Sequence, residues 1–241
     1  MIQFTILSKE NKFNKRLSII IPTLNESKNL PLLLSDLSEF KNESEILIID
    51  STSKDKTRDI ALINGTKFYK ININNRGLQL NYGAKKAKGD WLLFIHADSR
   101  LNSNWSKKIK DIIKRDSNLI YYFNFKVNNK SFTYRILELL VYLRCFLFKT
   151  PYGDQGVLIS KKNFKTQLGY KTIPLMEDFE FIRRVKKKYL RCLKTPIFTS
   201  SRKWDKVNFV WQSLKNWNLR RLMRKGYSLN KIYKNYYEIM E

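Results

Sequence analysis

With 241 residues, 43% hydrophobic and 28% charged, the chain is long enough to bury a sizeable core and too apolar for wholesale disorder. Its 47 lysines and arginines against 21 acidic residues leave a formal net charge of +26, which favours anionic partners: nucleotides, phospholipid surfaces or nucleic acid. Lysine, asparagine and isoleucine are all abundant, so drift in base composition explains the charge equally well, and charge by itself selects no function.

The first 16 residues, "MIQFTILSKENKFNKR", hold no apolar core of signal-peptide length and read as an N-terminal extension of a cytoplasmic protein. "LSIII" (17–21) and "EILIID" (45–50) are β-branched apolar runs of buried-strand length. Between them "KNLPLLLSDLSEF" (28–40) carries apolar residues at helical spacing, which makes a β-α-β unit. The alternation continues: "SKDKTRDIALIN" as a helix, "KFYKI" as a strand, "GLQLNYGAKKAKG" as a helix and "WLLFI" as a fourth strand. This order predicts an α/β fold with a mainly parallel central sheet flanked by helices. Ligands of such sheets bind beyond the carboxyl ends of the strands. Those ends read "PTLNE" (22–26), "DSTS" (50–53) and "HAD" (96–98), polar or acidic where a core would be apolar.

After about residue 102 the pattern changes. "NWSKKIKDIIKR" reads as a helix, "NLIYYFNFKV" as a strand and the stretch around 133–148 as an apolar helix. Its run "ILELLVYLRCFLF" (136–148) is broken by Glu138 and Arg144 and is too short to span a bilayer. Then come "PYGDQGVLIS" and a helix, "EDFEFIRRVKKKY", starting at Glu177. Residues 204–241 are basic and aromatic and read as amphipathic helices packed on the domain or lying along a surface. No repeat, low-complexity tract or Pro/Gly/Ser linker divides the chain, so 17–203 is read as one domain, with 1–16 and 204–241 as its appendages. The two cysteines, Cys145 and Cys192, are too few for a disulfide framework and form no C-x-x-C pair, which points to a reducing compartment and away from a zinc site.

Four ordered blocks, "SIIIPTLNES", "RGLQLNYGAKKAKGDWLLFIHADSRL", "PYGDQGVLI" and "PLMEDFEFIRR", together resemble the family 2 glycosyltransferases. The likeness runs from about 17 to 230 and is greatest to a bacterial subgroup in which H-A-D replaces the usual D-x-D. It implies a GT-A fold, with 17–101 as a nucleotide-binding half and 102–203 as an acceptor-side half. It also implies transfer of a sugar, with inversion, from a nucleotide-diphospho-sugar (a UDP or GDP sugar foremost) to a hydroxyl acceptor. A lipid-linked acceptor, and peripheral contact of the basic C terminus with the anionic inner face of the plasma membrane, are compatible with that reading.

Breaking the anomeric bond of such a donor leaves a diphosphate that gains negative charge, which enzymes stabilise with a divalent metal or fixed cations. By the resemblance, Asp98 holds Mg²⁺ or Mn²⁺, with His96, the only histidine of the chain, standing where the first aspartate of D-x-D would be. The competing readings are an aspartate capping a turn and a half-buried histidine bonded to backbone. The nucleotide-sugar is expected at Pro22, Thr23, Asn25, Glu26, Asp50, Arg76, Asn81, Ala97 and Asp98. Capping of the helices that follow β-strands competes for Glu26 and Asp50, and a solvated helix start competes for Arg76. This chain reads Ser51-Thr52 where the family commonly has glycines or a second aspartate.

An inverting transfer also needs a base for the acceptor hydroxyl. The resemblance gives that role to Asp178, with Glu177 as its neighbour; acidic residues in a first helical turn also serve the helix dipole without any catalysis. Asp154 and Gln155, in a Gly-rich turn, and Arg202, Lys203 and Trp204 are expected on the acceptor or phosphate side. Gly83, mid-helix at a cost of about 1 kcal/mol, signals close packing against the sheet or a ligand. No P-loop occurs. The alternatives are a non-catalytic basic membrane-surface protein and a nucleic-acid-binding module. The latter is disfavoured by acidic strand ends and by the lack of RRM, KH or zinc-finger signatures, so no nucleic-acid partner is expected.

Overall fold

The structure, a computed structural model, describes residues 16–199, 217–223 and 225. Arg202, Lys203 and Trp204, most of 204–241 and all but the last of residues 1–16 lie outside the described residues. In chain order the elements are β1 (Leu17–Thr23), α1 (Leu30–Leu37), β2 (Ser44–Asp50), α2 (Thr57–Ile63), β3 (Lys67–Lys70), α3 (Arg76–Lys86), β4 (Trp91–Phe94) and β5 (Ser99–Leu101). There follow α4 (Trp105–Arg115), β6 (Ile120–Val127), α5 (Phe132–Phe148), β7 (Val157–Ser160), α6 (Lys161–Thr166), α7 (Glu177–Arg184) and β8 (Leu190–Thr199).

One eight-stranded sheet runs β3-β2-β1-β4-β7-β6-β8-β5. Its first four strands are parallel, as the β-α-β alternation requires, because each crossover helix returns the chain to the same end of the sheet before the next strand starts. Beyond β4 the sheet is mixed: β7 is antiparallel to β4 and β6, β8 is parallel to β6, and β5 is antiparallel to β8. The expectation of a mainly parallel sheet therefore holds for the first half and gives way in the second. There helices still separate β5, β6, β7 and β8, but β7 inserts antiparallel between β4 and β6, and β5 pairs antiparallel at the far edge.

Period-2 alternation splits the core in two. Ile19 and Ile21 of β1 face α1, α2 and α4, whereas Ile20 faces the side packed by α3, α5, α6 and α7. Gly83 lets α3 sit directly on that second face: a Cβ there would overlap Ile20 and lie 3.1 Å from Ile49, so the glycine packs on the sheet rather than on a ligand. Helix α7 stops at Arg184 instead of continuing to Tyr189, because the buried Val185 is extended and turns the chain towards β8. β5 and β8 were not expected; β5 is three residues long and exists through its pairing with β8. Cys145 and Cys192 are both free thiols.

Candidate active site

The carboxyl ends of β1, β2 and β4 open side by side, since Thr23 pairs with Asp50 and Ile20 with Phe94 in register. Gln79 of α3 donates from its buried amide to the carbonyls of Thr23 and Ile49, clamping the two strand ends. Beyond them the loops are held side chain to backbone. Asn25 N donates to Ser53 Oγ at 2.7 Å, Lys54 N to Asn25 Oδ1 at 2.8 Å and Glu26 N to Thr57 Oγ1 at 2.8 Å. Asn25 and Thr52 both take positive φ, 56° and 62°; for a β-branched threonine this is a strained turn.

Asp50 does not line this opening directly. It is 2% exposed and accepts from Thr23 Oγ1 at 2.9 Å, from Ser53 Oγ and from Ser53 N at 2.8 Å. Asp50 and Thr23, both expected at the nucleotide, are buried and hydrogen-bonded to each other, with Asp50 also holding the 51–53 turn. Glu26 is half-buried, its Oε2 accepting from Asn29 Nδ2 at 2.8 Å and its carbonyl from the Asn29 and Leu30 amides at the start of α1. Pro22 is half-buried at the end of β1, and Asn25 is exposed.

The most concentrated chemistry lies where α3, α7, the 96–99 turn and the 152–155 turn meet. Asn75 caps α3 by accepting from Leu78 N at 2.9 Å and donates to Ile173 O at 3.0 Å, which fixes Arg76 facing α7. Arg76 Nε pairs with Glu177 Oε1, and its Nη2 lies 3.8 Å from Asp178 Oδ2. Its Nη1 lies 3.4 Å from His96 Nε2. Met176, at φ 62°, turns the chain sharply so that Glu177 and Asp178 open α7 pointing into this cluster. Gly153 N donates to Asp178 Oδ2 at 2.6 Å, and Phe179 N donates to Oδ1 at 2.7 Å. A Cβ on residue 153 would lie 2.9 Å from Asp178 Oδ2 and 3.2 Å from His96 Nε2, so only a hydrogen atom fits there.

Electrostatics separate the two carboxyls. Burial, with the charge of Asp178 added, pushes Glu177 above its ordinary range even though Arg76 pulls it down. Burial also works against ionisation of Asp178, but Arg76, the two backbone donors and His96 outweigh it and hold the carboxyl below the usual range. Asp178 is thus kept ionised, an acceptor within a cationic frame.

His96 and Asp98 flank a turn closed by Ser99 N donating to His96 O at 3.2 Å; both side chains are half-buried and Ala97 between them is 2% exposed. Among the described residues no group of three or more His, Cys, Asp or Glu assembles for a metal. His96 Nε2 faces the Arg76 guanidinium at 3.4 Å.

Two further candidate residues make internal hydrogen bonds. Asn81 donates to the Tyr170 carbonyl at 2.7 Å and accepts from the Tyr170 N–H at 2.9 Å, which staples α3 to the 169–170 loop. Gln155 is 1% exposed, donates to Phe123 O at 3.1 Å and accepts from Arg144 at 3.0 Å and Tyr152 N at 3.2 Å. It holds the turn; Asp154, one residue earlier, is half-buried.

Sequence reasoning passed over Tyr152, whose ring is covered by Arg144 at 3.5 Å on α5 and by Arg220 at 4.7 Å. Residues 217–223 are helical, and Leu219 packs on Met176 and Phe179, which brings Arg220 there. It also passed over Asp55 and Thr57. Asp55 accepts from Thr57 N at 3.0 Å and Ser27 N at 2.9 Å, an Asp two residues before a helix that reads as an Asx turn.

Comparison with known proteins agrees with this architecture. The chain is 26% identical over 197 residues to an uncharacterized glycosyltransferase of Haemophilus influenzae, covering 76% of this chain and 64% of that protein. It is 35% identical over 102 residues to the 4,4'-diaponeurosporenoate glycosyltransferase of Staphylococcus haemolyticus, covering 39% of this chain and 27% of that protein. It thus spans about a quarter to two thirds of these relatives' lengths. In solved structures its fold matches residues 1–349 of S. aureus TarS, with TM-score 0.61, 19% identity and coverage of 77% of this chain and 60% of that one. It also matches glucosyl-3-phosphoglycerate synthase of Mycobacterium tuberculosis, with TM-score 0.58, 14% identity and coverage of 77% and 70%. The α/β fold is therefore the GT-A fold expected from the sequence. The model of "Glycosyl transferase family 2" matches residues 18–193, most of the described sheet and its helices, and the chain belongs to that family.

Proposed function

We propose that this chain moves a sugar from a nucleotide-diphospho-sugar to a hydroxyl acceptor with inversion at the anomeric carbon, residues 17–101 serving the nucleotide and 102–203 the acceptor. The observation that carries the reading is the Asp178 carboxylate, kept ionised by Arg76 and Gly153 N beside the carboxyl ends of the parallel strands. Asp178 takes the acceptor proton as the acceptor oxygen bonds to the anomeric carbon; the bond from that carbon to the diphosphate breaks and the nucleoside diphosphate leaves. Arg76 supplies fixed positive charge near the departing diphosphate, and Glu177 orients Arg76.

The donor is taken to be a UDP or GDP sugar. TarS 1–349 was crystallised with UDP-GlcNAc, and the M. tuberculosis synthase with Mn²⁺ and UDP. One protein carboxylate together with substrate phosphates and water suffices for Mg²⁺ or Mn²⁺, so Asp98 is the residue that would hold such an ion. The ion would offset charge on the diphosphate. The H-A-D turn, with His96 in place of a carboxylate, puts less negative charge beside the pyrophosphate and lightens the demand for metal. Asp154 and Arg202 with Trp204 are assigned to the acceptor or phosphate side, and the protein to the cytoplasm.

A thermal-shift panel of UDP, GDP, CDP and dTDP sugars, with and without Mn²⁺, on wild type and Asp98→Asn tests the donor half. Ligand at about 100 times its dissociation constant stabilises by about 2.7 kcal/mol. A shift with one nucleotide that depends on metal and is lost in Asp98→Asn is the expected result; no shift with any donor overturns the reading.

A further inference from the structure

Helix α5 is apolar over most of its circumference, interrupted by Thr133, Arg135, Glu138 and Arg144. Tyr134, Leu137, Val141 and Cys145 face the core, yet nine of its 17 residues are large, apolar and exposed. Those nine are more than half of the 16 exposed large hydrophobic residues found among the described residues, so the exposure is concentrated and not scattered. At about 100° per residue, Phe132, Leu139, Leu143, Phe146 and Leu147 fall within one arc of about 100° opposite the buried stripe. Leu139, Phe146 and Leu147 are 56–61% exposed. A continuous apolar face of this kind on a protein surface marks an interaction site.

We propose that α5 lies along an anionic lipid bilayer, inserting Leu139, Leu143 and Phe146 into the headgroup–acyl boundary, and that it brings the acceptor side of the pocket to a lipid-borne hydroxyl. The acceptor half of this proposal rests on the glycosyl-transfer reading. Among the described residues no helix is long and apolar enough to cross a membrane, and α5 spans only about 25 Å, so it lies on the surface. Charge selects the occupant. The single carboxylate of α5, Glu138, is buried and neutralised by Lys126 and Arg135, so its outward face carries no negative charge. Lys130 precedes the helix and Lys149 closes it, with its Nζ 5.8 Å from the Phe146 ring. A face with apolar centre and cationic ends matches an anionic interface. A second copy of this chain, carrying its own +26, would be repelled.

The same helix supports the turn beside Asp178. Arg144 of α5 covers the Tyr152 ring at 3.5 Å and donates to Gln155, and Gly153 between them donates to Asp178. Three residues, Lys149–Pro151, separate the end of α5 from that turn. A bilayer under α5 would therefore lie beside the acceptor side of Asp178.

The test is sedimentation of the full chain with vesicles of phosphatidylcholine, alone or mixed with phosphatidylglycerol, for wild type and a Leu139→Glu, Leu143→Glu, Phe146→Glu triple variant. A second variant, Phe132→Ser with Leu147→Ser, changes the same face without adding charge. Wild type is expected to bind the mixed vesicles and both variants to lose about tenfold or more in partitioning. Melting temperature without lipid and the shift with nucleotide sugar should stay unchanged. Those two readouts separate failure of this proposal from failure of the donor reading. Equal binding by wild type and both variants overturns the proposal. So does a wild-type dimer that the variants dissociate, or a large fall in melting temperature in both variants, which would show the face covered within the chain.

Discussion

Gly153 N and Asp178 Oδ2 are joined by a 2.6 Å hydrogen bond across 25 positions of sequence. The bond makes the position of the proposed base depend on a turn at the end of α5, and the lack of a side chain at 153 is what allows the approach. Gly153→Ala should force Asp178 and His96 apart from the turn. A displacement of this order is expected to lower kcat by roughly 10- to 100-fold with little change in donor KM, read by steady-state kinetics.

Asp178→Asn keeps an oxygen to accept from Gly153 N but loses the proton acceptor. Transfer is expected to fall by about 10²- to 10⁴-fold while the nucleotide-dependent melting shift persists. An Asp178→Asn protein with full transfer activity would sink the base assignment.

Arg76 and Glu177 form an ion pair in which the glutamate side chain is 3% exposed and the arginine 38%. Removing the partner of a fully buried charge costs about 3–5 kcal/mol, and the solvent at Arg76 reduces that, so Arg76→Gln should cost about 2 kcal/mol in urea unfolding. The double variant Arg76→Gln, Glu177→Gln should recover part of the loss, since Glu177 no longer leaves a lone buried charge while Asp178 keeps Gly153 N and Phe179 N as donors.

Gly83→Ala places a methyl against Ile20 and Ile49. Overpacking of that kind costs about 1–3 kcal/mol and should lower Tm by several degrees, with no direct effect on donor contacts. A neutral Gly83→Ala would mean that α3 moves freely off the sheet.

Asp55 supplies a pH signature. Burial opposes its ionisation, but hydrogen bonds from Thr57 and Ser27 outweigh it and hold the carboxyl at about 2, below its ordinary 3.8. The unfolded chain binds the proton first as pH falls, so the stability Asp55 contributes is complete above about pH 4 and is lost on descending towards about pH 2. Solvent screens this largely open carboxyl, so Asp55→Asn should cost less than about 1 kcal/mol at neutral pH and flatten the stability profile in that window, measured by urea unfolding at several pH values.

Much of the first half was legible because its strands are buried on both faces and its helices keep one apolar stripe. "LSIII", "EILIID" and "WLLFI" became β1, β2 and β4 within about two residues. β5 and β8 were not legible: "SRL" has no pattern of its own and becomes a strand through pairing with β8. Within the site, residue type marked His96, Arg76, Glu177 and Asp178, which do converge. Asp50, Asn81 and Gln155 looked equally suited to a ligand, but their polar atoms are taken up by Ser53, by the Tyr170 backbone and by Phe123, Arg144 and Tyr152.

The sequence by itself determined a run of parallel strands with polar residues at their carboxyl ends, because strand burial and helix periodicity are local properties that residue order encodes. Only the tertiary structure decided which of those polar groups face the opening. A side chain is available to a ligand when no distant backbone or charge has claimed it, and such partners lie tens of residues away. Arg76 meets Glu177 across 101 positions, and Asn81 meets Tyr170 across 89.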